Sequence, residues 1–285
     1  MVLAVLWPST RTRAFQQQLT PTFRSGTLGV RVDVLVTDGH KPVAGLTADD
    51  FDLRDNGVPQ AIKLVDAAAV PLNVVLALDV SASVTGARER DLIAASEALL
   101  DGFTPIDRAA LTTFNQAVQS RIPLTGDLTS IRQALHEIEP SGHTALLDGV
   151  YVALAGTLTQ PGRSLIVVCT DGSDVSSWLR TEDVLQSATR SNAVIYGVVT
   201  RDAARATALE ALTDASGGEV LRVASSAALR DAFRKILETF RQRYVLAYTP
   251  SGVPPCGFHR LDVRVKRRGL TVKTRPGYLG VEATK

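Results

Sequence analysis

Cysteine is scarce in this 285-residue sequence, which has two, and aromatic residues make up only 5% of it. Two cysteines indicate little about the redox compartment. Cys169 lies in an apolar run, where a buried free thiol is expected, while Cys256 lies in a Pro-Pro-Cys-Gly loop. A disulfide between them would require the fold to bring them together. The hydrophobic content of 45% is enough for a sizeable core.

An excess of either charge is also missing, since 31 Lys and Arg residues face 29 Asp and Glu residues. A net charge of +2 gives no global attraction to nucleic acid or to an acidic membrane. The basic stretch of residues 260–275 alternates with apolar residues and is interpreted as the solvated face of a hairpin. Aromatic residues that could stack against bases are missing from it, apart from Phe258 and Tyr278 at its ends. We therefore expect no nucleic-acid partner.

Long apolar runs are absent as well, and none approaches the ~20 residues of a transmembrane helix. The opening segment, residues 1–7, is apolar but shorter than the ~7–15-residue apolar region that a signal peptide carries after a basic region. Residues 1–27 are interpreted as a leader, either disordered or the remainder of a truncated export signal. The second interpretation is favoured, and it predicts a secreted, periplasmic or cell-envelope protein.

Both ends of the chain show the period of two that is typical of half-buried strands. Residues 30–36, 51–54 and 61–65 are predicted strands near the start, and residues 244–248 and 260–266 near the end. A turn at residues 267–269 is expected to join the last strand to residues 270–274 in a hairpin. Neither end has enough strands for a stable sheet alone. We therefore predict one small β domain built from both termini, residues 28–70 plus 244–280, followed by a tail of residues 281–285.

Strands and helices alternate between these ends, which predicts an α/β domain over residues 71–243. Its expected form is a doubly wound, mainly parallel sheet with helices on both faces, inserted in the β domain. Strands are predicted at 73–78, 109–114, 117–122, 164–169, 194–199 and 219–223. Helices are predicted at 87–102, 128–138, 144–159, 181–190, 203–215 and 226–241.

Polar oxygen-bearing residues follow two of these strands and open one helix. Asp79, Ser81 and Ser83 come directly after strand 73–78. Thr144 stands at a predicted helix start, and Asp171 follows strand 164–169. Because ligands of open parallel sheets bind beyond the carboxyl ends of the strands, these five side chains are expected to converge. Hard oxygens suit Mg²⁺, Mn²⁺ or Ca²⁺, and the absence of His and Cys argues against Zn²⁺.

This constellation resembles the metal-ion-dependent adhesion site of von Willebrand factor type A domains, which consists of D-x-S-x-S, a Thr on a second loop and an Asp on a third. The resemblance covers about residues 71–243. Residues 36–51 and 275–278 are similar to bacterial proteins related to this family. The resemblance implies that Ser81 and Ser83 coordinate Mg²⁺ or Mn²⁺ directly, and that Thr144 and the aspartates do so directly or through water.

Several of these residues and their neighbours have simpler interpretations. Ser81 and Ser83 could cap helix 87–102, a common role of serine, although metal ligation is favoured here. For Asp174 a turn is favoured, and for Asp148 a structural hydrogen bond. His143 is expected in an exposed loop. Trp178 is either an exposed interface anchor or a residue buried beneath its loop.

The sequence predicts a protein-binding module without catalytic residues, whose metal takes a carboxylate from another protein. A structural envelope protein with a vestigial metal site is one alternative, and a hydrolase is a less favoured one. Phosphatases of the haloacid-dehalogenase type need an Asp at the position of Ser81. The G-x-S-x-G motif of serine hydrolases and the glycine-rich phosphate loops are absent from the sequence.

Overall fold

A computed structural model describes residues 29–157, 161–171, 174–200 and 206–280. The predicted leader and tail lie outside these residues. None of the helices in the described ranges is long and apolar enough to cross a membrane. Both cysteines are free, with Cys169 buried and Cys256 exposed.

The strands of the described residues follow one another along the whole chain. They are β1 (Val30–Asp38), β2 (Lys41–Pro42), β3 (Phe51–Asp55), β4 (Val58–Pro59), β5 (Ile62–Val65), β6 (Leu72–Asp79), β7 (Arg108–Phe114), β8 (Val118–Thr125), β9 (Arg163–Thr170), β10 (Val194–Val199), β11 (Val220–Arg222), β12 (Tyr244–Tyr248), β13 (Gly257–Val265), β14 (Thr271–Lys273) and β15 (Gly277–Gly280). The α-helices are α1 (Ala87–Leu100), α2 (Leu128–His136), α3 (Leu146–Ala155), α4 (Thr181–Arg190), α5 (Thr207–Ser216) and α6 (Leu229–Arg241).

The central sheet has the strand order β11-β10-β9-β6-β7-β8 within the described part of the chain. All neighbouring pairs are parallel except β7 and β8. β6 is buried along its whole length, because helices cover both faces of the sheet. Its even-numbered residues from Leu72 to Leu78 pack with α1, α2 and α6, whereas Val75 and Ala77 pack with α3, α4 and α5. The expected sheet with helices on both faces is therefore the observed one.

Strands from the two ends of the chain pair with one another in two antiparallel sheets. One has the order β14-β1-β12-β5, with β2 beside β1, and the other has the order β15-β13-β3-β4. Alternate residues of both sheets form a third hydrophobic cluster. In the middle of β1, Val32 and Val34 are fully buried, in keeping with the period of two seen in the sequence.

The predicted hairpin between residues 260–266 and 270–274 is wrong. β13 pairs with β3 and β15, whereas β14 pairs with β1 in the other sheet. The turn around Gly269 therefore carries the chain from one sheet to the other. An alternating pattern shows that one face of a strand is buried but does not identify its partner strand, and two stacked sheets offer two choices.

Side chains from the β part contact the central sheet at the amino ends of its parallel strands. Arg163, the first residue of β9, donates to Oδ1 of Asp33 from Nε at 2.8 Å and from Nη2 at 2.6 Å. The Arg163 guanidinium also lies over the Phe240 ring, 4.5 Å from its centroid. Arg275 donates to Oδ1 of Asn192, just before β10, at 2.7 Å. The charge of Arg163 is thus paired with a carboxylate, whereas the buried guanidinium of Arg275 is held by neutral oxygen acceptors.

The division into domains, with boundaries at residues 70/71 and 243/244, stays a prediction. Limited proteolysis under native conditions should leave a fragment of residues 30–65 associated with a fragment of residues 244–280, because β1 lies between β12 and β14. Size-exclusion chromatography followed by mass spectrometry measures this association. The fragments should separate in denaturant, and elution of either fragment alone in native buffer would contradict the nested arrangement.

Candidate metal centre

The candidate site lies where the strand order of the central sheet reverses. From β6 the chain runs to β7 and β8 on one side, and it returns to β9 on the other side of β6. Asp79 ends β6, and Thr170 ends β9 immediately before Asp171. Such a crevice at the carboxyl ends of neighbouring strands is the usual ligand site of an open α/β sheet.

The carboxylate of Asp79 is 1% exposed and is held by three donors. Its Oδ1 accepts a hydrogen bond from the backbone N–H of Ser81 at 2.9 Å. Its Oδ2 accepts from Oγ1 of Thr170 at 2.8 Å and from Oγ1 of Thr144 at 3.3 Å. Ser81 and Thr144, two predicted site residues on separate loops, therefore both contact the carboxylate of Asp79.

Ser81 and Ser83 place their hydroxyl oxygens 3.0 Å apart, next to Asp79. Neither caps the helix that follows, because α1 begins at Ala87 and its N-cap position is Gly86. Ser81 instead precedes a short 3-10 turn of residues 82–84 and makes no capping hydrogen bond with its side chain. The simpler interpretation of the two serines as helix caps is therefore wrong.

Thr144 reaches the site on a loop that is hydrogen-bonded to the segment after β6. The N–H of Ser141 donates to the carbonyl oxygen of Val80 at 2.8 Å, and the N–H of Ala82 donates to that of Gly142 at 3.0 Å. Gly142 has φ of 72°, a backbone conformation that residues with a side chain rarely adopt, so glycine is favoured there. Helix α3 begins at Leu146, two residues later than predicted, so Thr144 belongs to this loop and not to the helix.

Asp171 lies beside Asp79 and Ser83 in the lining of a cavity of about 20 Å³. The cavity has room for about one water-sized group. Thr170 and Arg88 also line it, and neither was predicted from the sequence. Thr170 could have been found, because it stands level with Asp79 on the neighbouring strand. Nη1 of Arg88 donates to the carbonyl oxygen of Ser83 at 2.7 Å. No sequence pattern pointed to this arginine, because arginine in the first turn of a helix is common.

The electrostatics of the site favour a cation. Burial raises the pKa of Asp79 above its ordinary value of 3.8, and the negative charge of Asp171 raises it further. Hydrogen bonds from Ser81 and Thr170 lower it in part. A positive ion between the two aspartates would relieve both the desolvation of Asp79 and its repulsion by Asp171.

The donor set fits a hard divalent ion. It consists of two carboxylates and three hydroxyl groups, and oxygen donors are those that Mg²⁺, Mn²⁺ and Ca²⁺ prefer. Among the described residues, no group of three or more His, Cys, Asp and Glu side chains could hold a metal. Any ion held at this place would therefore depend on the hydroxyl oxygens of Ser81, Ser83 and Thr144 as well as on the aspartates.

The residues around the site have the structural roles expected of them. Asp148 accepts hydrogen bonds from the N–H groups of Trp178 and Leu179, both at 3.0 Å. Asp174 accepts from the N–H groups of Leu146 and Ser177. His143 is exposed. Trp178 is 90% exposed, so burial beneath its loop, one of the two alternatives, is wrong.

Comparison with known families identifies this part of the chain. Residues 74–173 match the family model of the von Willebrand factor type A domain. The resemblance drawn from the sequence motifs is therefore confirmed over these residues. No curated protein matches the sequence significantly.

Solved structures share the fold at low sequence identity. A von Willebrand factor type A protein from Catenulispora acidiphila is 13% identical with a TM-score of 0.52, over 91% of this chain and 76% of that one. Proximal thread matrix protein 1 from the mussel byssus, with a zinc-occupied MIDAS motif, is 16% identical with a TM-score of 0.54, over 65% and 49%. The PilB minor pilin from Streptococcus sanguinis is 13% identical with a TM-score of 0.50, over 61% and 62%. At these identities the likeness concerns the fold alone.

The repulsion between the two aspartates should be measurable in metal-free protein. The raised pKa means that ionised Asp79 destabilises the fold, and that this loss grows as the pH rises from about 3.8 through the folded-state pKa. Asp171→Asn should lower the folded-state pKa of Asp79 and raise the free energy of unfolding at pH 7 by about 1 kcal/mol. The gain should vanish below pH 3.8, where Asp79 is protonated and is no longer repelled.

Urea unfolding in EDTA at several pH values measures this difference. The exposed Asp38→Asn is the control, because it removes the same charge from the end of strand β1. A stability of Asp171→Asn equal to or below that of the wild type at pH 7 would show that the two carboxylates do not repel each other appreciably.

Proposed function

We propose that this chain is a protein-binding module that uses one divalent cation, Mg²⁺ or Mn²⁺, held by Asp79, Ser81, Ser83, Thr144 and Asp171. The observation that carries the proposal is the buried carboxylate of Asp79, with a second aspartate and three hydroxyl groups around it at the crevice of the sheet. The match to the type A family model supports it, as does the zinc-occupied MIDAS motif of the mussel protein. The proposal includes no catalysis.

Each residue of the site has a distinct part in this proposal. Asp79 and Asp171 supply negative charge, and Ser81, Ser83 and Thr144 supply neutral oxygens. Two aspartates at most neutralise a divalent cation, and the hydroxyl groups add no charge. When bound, the cation offers a coordination position to a further carboxylate. The chain is therefore expected to select a partner with an exposed Asp or Glu side chain.

The place of this interaction is proposed to be outside the cytoplasm, in the envelope or beyond it. The short apolar leader motivates this part of the proposal. The fold of the central domain also occurs in a minor pilin and in a matrix protein of the mussel byssus. The envelope fraction is accordingly the first source in which to seek the partner.

Metal binding itself is the first test. Isothermal titration calorimetry of the purified chain should show one Mg²⁺ or Mn²⁺ site. Asp79→Ala and Asp171→Ala should each abolish it, because either change leaves the ion with one carboxylate. The fold should persist, since the site lies at the carboxyl ends of the strands and outside the hydrophobic core, and circular dichroism checks this. Asp38→Ala, with the same loss of charge at the exposed end of β1, should bind normally. Unchanged affinity in both site variants would refute the ligand assignment.

Capture of a partner is the second test. Envelope extract is passed over the immobilised chain in Mg²⁺ and in EDTA, with the Ser81→Ala/Ser83→Ala variant as the matched control. The partner should bind to the immobilised chain in Mg²⁺, elute in EDTA and fail to bind to the variant. Changing the partner's acidic residue to its amide should weaken binding as severely as metal removal does. A partner that binds equally well in EDTA and to the double variant docks elsewhere.

A further inference from the structure

Three large apolar side chains are exposed close to the candidate metal centre. Trp178 is 90% exposed, Val175 67% and Tyr151 42%. Isolated apolar residues on a surface are common, but a group of them beside a polar centre marks an interaction site. We call Val175, Trp178 and Tyr151 the Trp178 platform.

The backbone that carries Trp178 is fixed to the start of helix α3. The two carboxylate oxygens of Asp148 accept hydrogen bonds from the N–H groups of Trp178 and Leu179, both at 3.0 Å. Oγ of Ser177 accepts from the N–H groups of Leu147 at 3.0 Å and of Asp148 at 3.3 Å. The exposed indole therefore stands on an ordered support, and little backbone entropy would be lost when a partner binds it.

The same loop is bonded to a residue of the metal centre. The carbonyl oxygen of Thr144 accepts hydrogen bonds from the N–H groups of Val175 at 3.0 Å and of Ser176 at 3.1 Å. Thr144 also donates its hydroxyl to Asp79. Asp148 lies in the first turn of α3, just after the loop of Thr144, and Tyr151 lies three residues further on the same side of the helix. The platform therefore begins within about 10 Å of the candidate ligands.

We propose that the Trp178 platform seats an apolar side chain of the partner, next to the acidic residue that approaches the metal. The inference rests on the proposed function and adds to it the chemistry of the partner. The recognised segment is a peptide with one carboxylate and one aromatic or aliphatic side chain a few residues away. Tryptophan at the centre of an interface commonly contributes most of the binding energy. The carboxylates of Asp148, Asp174 and Asp171 around the platform disfavour an anionic lipid surface.

The test uses Trp178 as its own probe. The sequence has two tryptophans, so Trp7→Phe leaves Trp178 as the sole indole. The ligands are capped Ser/Gly peptides with one Glu and one Phe, spaced by one to four residues. Matched peptides replace Phe by Gly or Glu by Gln. In Mg²⁺, at least one Glu–Phe peptide should shift the emission of Trp178 to shorter wavelength. It should also bind at least about tenfold more tightly than its Glu–Gly counterpart.

Trp178→Ala should remove this preference for Phe while leaving the weaker, Mg²⁺-dependent binding of Glu, as measured by calorimetry. Phe258→Ala removes another exposed aromatic side chain, in β13, and should change nothing. Equal thermal unfolding temperatures of the two variants and the wild type establish that folding is intact.

The outcomes separate the two proposals. If Trp178→Ala binds the Glu–Phe peptide as tightly as the wild type, or if Phe and Gly peptides bind alike in Mg²⁺, the platform inference is overturned and the metal-dependent function stands. Binding of the Glu peptides that is equal in EDTA overturns the function itself. An emission shift with neutral phosphatidylcholine vesicles, or no binding by any peptide, also overturns the platform inference.

Discussion

The carboxylate of Asp79, buried at the end of the central strand, is the constraint on which the candidate site depends. A buried ionised group is unfavourable unless other groups replace the water it has lost. Here the backbone N–H of Ser81 and the hydroxyl groups of Thr170 and Thr144 replace that water. They do so only in part, and burial therefore still raises the pKa of Asp79. The neighbouring charge of Asp171 increases the deficit. Positive charge at this place would therefore stabilise the fold and create a binding centre at once.

The parallel sheet keeps this arrangement in register. β6 and β9 are buried along their whole lengths and pair residue by residue, so Asp79 and Thr170 stand side by side at the ends of adjacent strands. Thr144 depends instead on backbone hydrogen bonds between two loops, and on the absence of a side chain at Gly142. The site thus combines a rigid half from the sheet with a half from loops that a single substitution could displace.

Much of this architecture can be predicted from the sequence. Strands buried on both faces appear as apolar runs, and amphipathic helices appear as apolar residues spaced three or four positions apart. Helix α4 and strand β10 have the predicted bounds. Strand pairing in the β part is harder to predict, since β14 could face either of two sheets. The spacing of Asp79, Ser81 and Ser83 is local, so these ligands can be predicted from the sequence. The exposure of Trp178 cannot, because its loop is positioned by hydrogen bonds to Asp148, which lies far away in sequence.

The β part contacts the central sheet away from the candidate metal centre. Arg163 begins β9 and pairs with Asp33, and Arg275 contacts Asn192 just before β10, so these contacts lie at the amino ends of the parallel strands. Asp171 follows the other end of β9, roughly 25 Å away at about 3.3 Å per residue. The β part therefore contacts the sheet at the amino ends of its parallel strands. Asp171 and Trp178 lie at the opposite, carboxyl ends of these strands. A partner that binds at the carboxyl ends would contact both charged and apolar surface. The positions of Asp171 and Trp178 do not depend on the strands that the two ends of the chain supply.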